Sequence, residues 1–144
     1  MIDPTRYVLG VRYTRGGREW PRLDCWGLVR LIFRECFGIE LDPHDTAAWG
    51  TNVVGREIVA ERAAWIPVER AAVRAGDIAL MRRIGRPFHV GVALDGRSLI
   101  HADDRVNVCV EPLASQLGRV EFYRHPQLEG PGRTPAPQTS GANA

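Results

Sequence analysis

Between residues 65 and 125 the chain is built from six short runs rich in β-branched residues: "WIPVE" (65–69), "GDIALMR" (76–82), "HVGVAL" (89–94), "RSLIHA" (97–102), "VNVCVEP" (106–112) and "RVEFYRH" (119–125). Runs of this length bounded by turn residues are strands. The apolar pattern before them has a different period. At 100° per residue, Cys25, Leu28, Val29, Ile32, Phe33 and Cys36 fill one broad arc, with Arg30 and Arg34 outside it. Asp24 suits the N-cap of that helix and Gly38 its C-terminal stop. Helical signals first and strands afterwards predict an α+β domain: N-terminal helices packed on a central antiparallel β-sheet.

The remaining segments read less sharply. Residues 2–12 form a short helix or an extended arm, and 14–24, "TRGGREWPRLD", a glycine- and proline-punctuated loop. "LDPHDTAAWG" is a loop, residues 53–64 a second helix, and 113–118 a helical turn. Residues 127–144 are rich in Pro, Gly, Ser and Ala and nearly empty of large apolar side chains, so 1–126 is expected to be the folded domain and 127–144 a flexible tail.

At 144 residues the chain suits one core. Its net charge of +2, with scattered basic residues that are all arginine, argues against nucleic acid or an anionic membrane surface as partner. No apolar run approaches the roughly 18–20 residues of a membrane span. The N-terminus lacks the apolar core of a secretory signal, so the expectation is synthesis in the cytoplasm without a signal peptide. Three cysteines, Cys25, Cys36 and Cys109, make no disulfide framework. On one helix, Cys25 and Cys36 stand about 16 Å apart along the axis, beyond bridging distance. Without C-x-x-C or H-x-x-x-H spacing, no metal site and no cofactor is expected.

Cys25 opens the helix, where unpaired N–H groups and the positive dipole end lower a thiol's pKa. A nearby imidazolium lowers it further. Of four histidines, His44 lies in a loop and His125 ends the last strand. His89 and His101 belong to the two strands flanking Asp95-Gly96, a hairpin signal. A two-residue turn there pairs 89 with 102 and 90 with 101; a one-residue slip pairs 89 with 101. Both registers bring the two rings together at the open end of the hairpin. His89 can then meet the thiol while His101 holds its tautomer. The same residues also suit plainer roles. A cysteine on an apolar helical face packs well in a core, and two histidines at a hairpin end can be a solvated pair.

Taken together, the motifs resemble the NlpC/P60 family of cysteine peptidases, from about Tyr7 to Tyr123. "Asp24-Cys25-Trp26-Gly27-Leu28-Val29" resembles the nucleophile motif, "Arg74-Ala75-Gly76-Asp77-Ile78-Ala79-Leu80" an R-x-G-D strand, "His89-Val90-Gly91-Val92" the base motif, and "Leu99-Ile100-His101-Ala102" the strand of the third polar residue. The resemblance implies a papain-like fold with Cys25, His89 and His101 catalytic, and no cofactor. It implies a peptidoglycan stem peptide as substrate, cut between D-glutamate and a diamino acid.

Trp26 stands where many members carry serine, and the D-C-W-G-L-V-R run resembles a branch found in phage tails. That implies a virion tail-tip location, action in the host cell wall and other tail-tip proteins as partners. The alternatives are a structural tail component with little activity, and thiol-based acyl transfer. "Gly10-Val11-Arg12-Tyr13-Thr14-Arg15-Gly16-Gly17" resembles the segment before the nucleophile and implies that Tyr13 lines the site, with Tyr7 as competitor. Tyr13, Trp26 and Asp24 are the expected substrate contacts. Trp26 can instead pack under the preceding loop, and Asp24 can serve only as a cap. Asp103 and Asp104 are read as turn residues, either able to replace His101 as orienter. Cys36 and Cys109 are read as core. Gly27 is read as allowing close packing and Gly91 a close approach of backbone or substrate.

Overall fold

The computed structural model describes residues 2–43, 64–81, 89–115 and 120–129. A short helix, α1 (Pro4–Gly10), is capped by Asp3. Three two-residue strands follow: β1 (Arg12–Tyr13), β2 (Arg18–Glu19) and β3 (Arg22–Leu23), in the order β1-β3-β2. The stretch expected as a plain loop therefore carries a small sheet. The central helix α2 (Cys25–Ile32) runs into one π-helical turn (Phe33–Phe37) and ends at Gly38 in the left-handed region.

The six expected strands are all present: β4 (Ile66–Val68), β5 (Ile78–Met81), β6 (His89–Ala93), β7 (Ser98–Asp103), β8 (Asn107–Pro112) and β9 (Val120–Arg124). They form one antiparallel sheet in the order β4-β9-β5-β6-β7-β8. Alternation along the strands divides its faces. One carries Ile78, Leu80, Val90, Val92, Ile100, Ala102 and Val108, which join Leu28, Val29, Ile32 and Phe33 of the helix in the main core. The other carries a smaller cluster around Ala79, Met81, Ala93, Leu99 and Phe122.

The hairpin register differs from both sequence alternatives. Gly91 pairs with His101 and Ala93 with Leu99, so the connection is three residues, Asp95–Arg97, closed by Leu94 N–H to Ser98 C=O at 2.9 Å. Asp95 causes the longer turn: its Oδ1 accepts from the backbone N–H of Arg97 (2.7 Å) and Ser98 (2.8 Å), an Asx-type turn that a two-residue connection lacks.

The R-x-G-D motif is a structural clamp. Asp77, wholly buried, takes two hydrogen bonds of 2.7 Å from the Arg124 guanidinium, and accepts from Arg74 N–H at 2.9 Å. Gly76 has φ +93°, and a Cβ there would lie 2.7 Å from Phe37. Arg74 also donates to the Leu128 carbonyl at 2.6 Å. Leu128 is buried at the end of a 3-10 turn (Pro126–Leu128). The ordered domain thus continues past 126, because Leu128 fills space beside Gly76; the rest of the expected tail, 130–144, lies outside the described residues. So do His44 and residues 53–63 of the expected second helix. The 3-10 turn Leu113–Ser115 occupies the start of the expected turn at 113–118.

Candidate active site

Asp24 ends the extended chain and caps α2, its Oδ1 accepting from Gly27 N–H at 2.8 Å. The same oxygen meets Arg18 Nη1 at 2.6 Å. Asp24 is almost fully buried, so it caps the helix and balances Arg18 rather than contacting substrate as the resemblance suggested. Gly27 permits the tight entry: a Cβ on it would stand 2.3 Å from the Gly17 carbonyl.

Trp26 corrects a second expectation. Its ring is 1% exposed and its Nε1–H donates to the Asp42 carbonyl at 2.7 Å. It faces the core and the segment after the helix, so it walls no groove. At N2 of a helix whose Cys25 faces outward, the next side chain turns 100° and inward.

Cys25 is partly exposed as a residue, yet its thiol is enclosed by protein. Burial, then the negative charge of Asp24, push it up to about 12. The backbone N–H groups of Val90 and Trp26, and the charge of Arg18, pull it down without compensating. Burial is the larger influence on the thiol, ahead of the N–H groups that point at it. The Val90 contact sets the thiol against the start of β6, one residue from His89.

The two histidines are joined. His89 Nε2 lies 2.7 Å from His101 Nδ1, the rings edge to face at 85°. The register explains this. His101 stands opposite Gly91, two residues from His89 and on the same face. Gly91 keeps that space clear, since a Cβ there would lie 3.1 Å from His101 Cβ and 2.8 Å from the Ile100 carbonyl.

Sequence reasoning missed the next link. His101 Nε2 lies 3.1 Å from Glu111 Oε2 and 3.2 Å from Cys109 Sγ. Cys109 pairs with His101 across β7 and β8, and Glu111 follows two residues on, on the same face. Cys109 is thus half-buried beside an imidazole, not in the core. A carboxylate only accepts, so it selects the His101 tautomer with the proton on Nε2. Nδ1 is then an acceptor, His89 must donate from Nε2, and His89 Nδ1 is left with its lone pair as a base. Asp103 borders the same group, with one ligand atom from each of His89, His101 and Asp103 within 4.8 Å of one another. It is therefore more than a turn residue, although His101 holds the place next to His89.

The two tyrosines stand in different surroundings. Tyr7 is wholly buried, donating to Glu35 Oε1 at 2.8 Å beside Cys36. Tyr13 is half-buried near Cys25. Its hydroxyl is pushed up to about 12 by burial first, then by Cys25, Asp24, Asp104 and Asp103. Asn107, at φ 61°, fixes Tyr13 by accepting from its backbone N–H at 3.0 Å. His125 is structural, its ring 4.8 Å from Trp65.

The structure thus sets Cys25, at the start of α2, against the start of the strand that opens with the hydrogen-bonded His89, within an α+β fold. Comparison with known proteins narrows it: residues 10–124 match the NlpC/P60 family, and the chain belongs to that family. It is 32% identical over 104 residues to the murein DD-endopeptidase MepS/murein LD-carboxypeptidase of Escherichia coli K12, covering 72% of this chain and 48% of the relative. The counterparts in E. coli O6:H1 and O157:H7 match equally. The chain thus spans about half the length of these relatives. The fold also resembles the crystal structure of the NlpC/P60 domain of the peptidoglycan hydrolase SagA, with TM-score 0.56 and 20% identity, over 83% of this chain and 97% of that one.

Proposed function

We propose that this domain is a cysteine peptidase that hydrolyses amide bonds in peptidoglycan stem peptides. The observation that carries the reading is the hydrogen-bonded series Glu111–His101–His89, ending at the strand start where the Cys25 thiol lies. The names of the similar proteins, a murein endopeptidase and a peptidoglycan hydrolase, support the substrate class.

Because burial and Asp24 hold the thiol protonated, attack and proton transfer occur together. Cys25 Sγ bonds to the carbonyl carbon while its proton passes to His89 Nδ1. Backbone N–H groups at the start of α2 and the Tyr13 hydroxyl stabilise the oxyanion. The imidazolium gives its proton to the departing amine. His89 then takes a proton from water, which displaces the thioester and regenerates the thiol. His101 is the positioning residue that keeps the His89 Nδ1 lone pair available, and Glu111 sets the tautomer of His101.

Within that class we assign the bond between D-glutamate and the diamino acid, on the motif resemblance. We also place the domain at a phage tail tip, acting in the host wall beside other tail-tip proteins, on the resemblance of the run Asp24–Arg30. Digesting purified peptidoglycan with wild type and Cys25→Ala, and weighing the fragments, tests the activity and separates this bond from DD- and LD-bonds. Fragments with wild type alone are expected. Fragments from both proteins refute the nucleophile, and fragments from neither support an assembly role. Immunolabelling of virions with antibody to this chain tests the location, and unlabelled tails would exclude it.

A further inference from the structure

The face that carries the histidines also holds a group that the hydrolytic reading does not use in full. His101 Nε2, Cys109 Sγ and a Glu111 carboxylate oxygen lie within 4.8 Å of one another. Two of the separations are 3.1 Å and 3.2 Å. A tetrahedral zinc with nitrogen and oxygen ligands at about 2.1 Å and sulfur at about 2.3 Å sets its ligand atoms about 3.4–3.6 Å apart. An outward shift of a few tenths of an ångström brings these two separations to that spacing, with the third within 4.8 Å. The donor set, one imidazole, one thiol and one carboxylate, suits zinc or cobalt rather than magnesium or calcium. The Glu111 side chain is 37% exposed, which gives an ion a way in and leaves the fourth position to water. No short ligand motif announces the group, because the β7–β8 register assembles it.

We propose that His101, Cys109 and Glu111 form an inhibitory site for a borderline-soft divalent cation, zinc being the natural occupant. Its inhibitory effect rests on the proposed catalytic reading and follows from geometry. The ion takes the His101 nitrogen and the Glu111 oxygen that face each other at 3.1 Å, so the series Glu111–His101–His89 that positions the proposed base is broken. The ion thus stops the reaction without touching the nucleophile.

Cobalt titration of the Cys25→Ala variant tests the site apart from activity. The expected result is one cobalt per chain with a thiolate-to-cobalt charge-transfer band. Adding Cys109→Ser should abolish the band, and Glu111→Gln should weaken cobalt binding more than about tenfold. Cys36 remains in every variant as an internal control. A missing band in Cys25→Ala, or a band that survives Cys109→Ser, overturns the site. In a peptidoglycan assay, zinc should inhibit wild type. Cys109→Ser should keep its basal rate and need more than tenfold higher zinc for the same inhibition. Equal zinc sensitivity overturns the proposed effect. An inactive wild type with the cobalt result intact would overturn the catalytic reading and leave the metal site standing.

Discussion

Glu111→Gln isolates the link that sets the histidine tautomers. The change keeps shape and removes charge. A hydrogen bond to a charged group contributes about 1.5–3 kcal/mol. Two features place this one at or below the lower end. The Nε2–Oε2 distance of 3.1 Å is longer than the roughly 2.7–2.9 Å of strong charge-assisted bonds. The Glu111 side chain is 37% exposed, so water replaces part of what is lost. A loss of about 1–1.5 kcal/mol corresponds to about a five- to thirteenfold fall in rate. Since Glu111 acts on the base through His101, kcat should fall while KM stays within about twofold. Steady-state kinetics on a defined stem peptide, with a thermal melt of the same preparation, reads both. Glu111→Asp should recover part of the rate. An unchanged kcat, or a loss that follows a lowered melting temperature, would refute the tautomer argument.

Removing Asp77 leaves the nearly buried Arg124 charge with only the exposed Glu129 carboxylate at 3.5 Å and the Ala72 carbonyl at 3.1 Å; Asp77→Ala should destabilise the fold by about 3 kcal/mol, the low end for a broken buried pair, in urea denaturation. Trp26→Phe should lose about 1 kcal/mol with the Nε1–Asp42 hydrogen bond, and substrate preference in a fragment assay should not change. Burial raises Cys25 to about 12, Cys36 to about 11 and Tyr13 to about 12. These groups are neutral when protonated, so the fold binds their protons more tightly than the unfolded chain. That stability is complete below the unfolded values, about 8.5 for cysteine and 10 for tyrosine, and is lost as pH rises towards 11–12. Urea midpoints should fall steeply above pH 9, and less steeply in Cys25→Ala.

The six strands and the central helix were legible because their signals are local: β-branched runs, a cap at Asp24 and a stop at Gly38. Residues that answer to distant partners were less so. The hairpin register turned on one Asx contact at Asp95, which placed Gly91 rather than Val90 opposite His101. Glu111 carries no motif and becomes a partner of His101 only once β7 and β8 are aligned. Trp26 was readable as a groove wall or as packing under the preceding loop, and the structure packs it against the core and Asp42, after the helix. The raised thiol pKa was hidden for the same reason: a helix start is visible in sequence, but the burial around the thiol is not. Tyr7 and Tyr13 sit in similar short runs, and the partners Glu35 and Cys36 separate them.

The most direct measurement mixes wild-type protein with a stem peptide, quenches in acid within one turnover and maps the digest by mass spectrometry. An acyl adduct on the peptide containing Cys25, lost on further incubation before the quench and absent in His89→Ala, is the predicted result. Hydrolysis that proceeds with no adduct on Cys25, or with the adduct on another residue, would contradict the assignment of Cys25 as nucleophile.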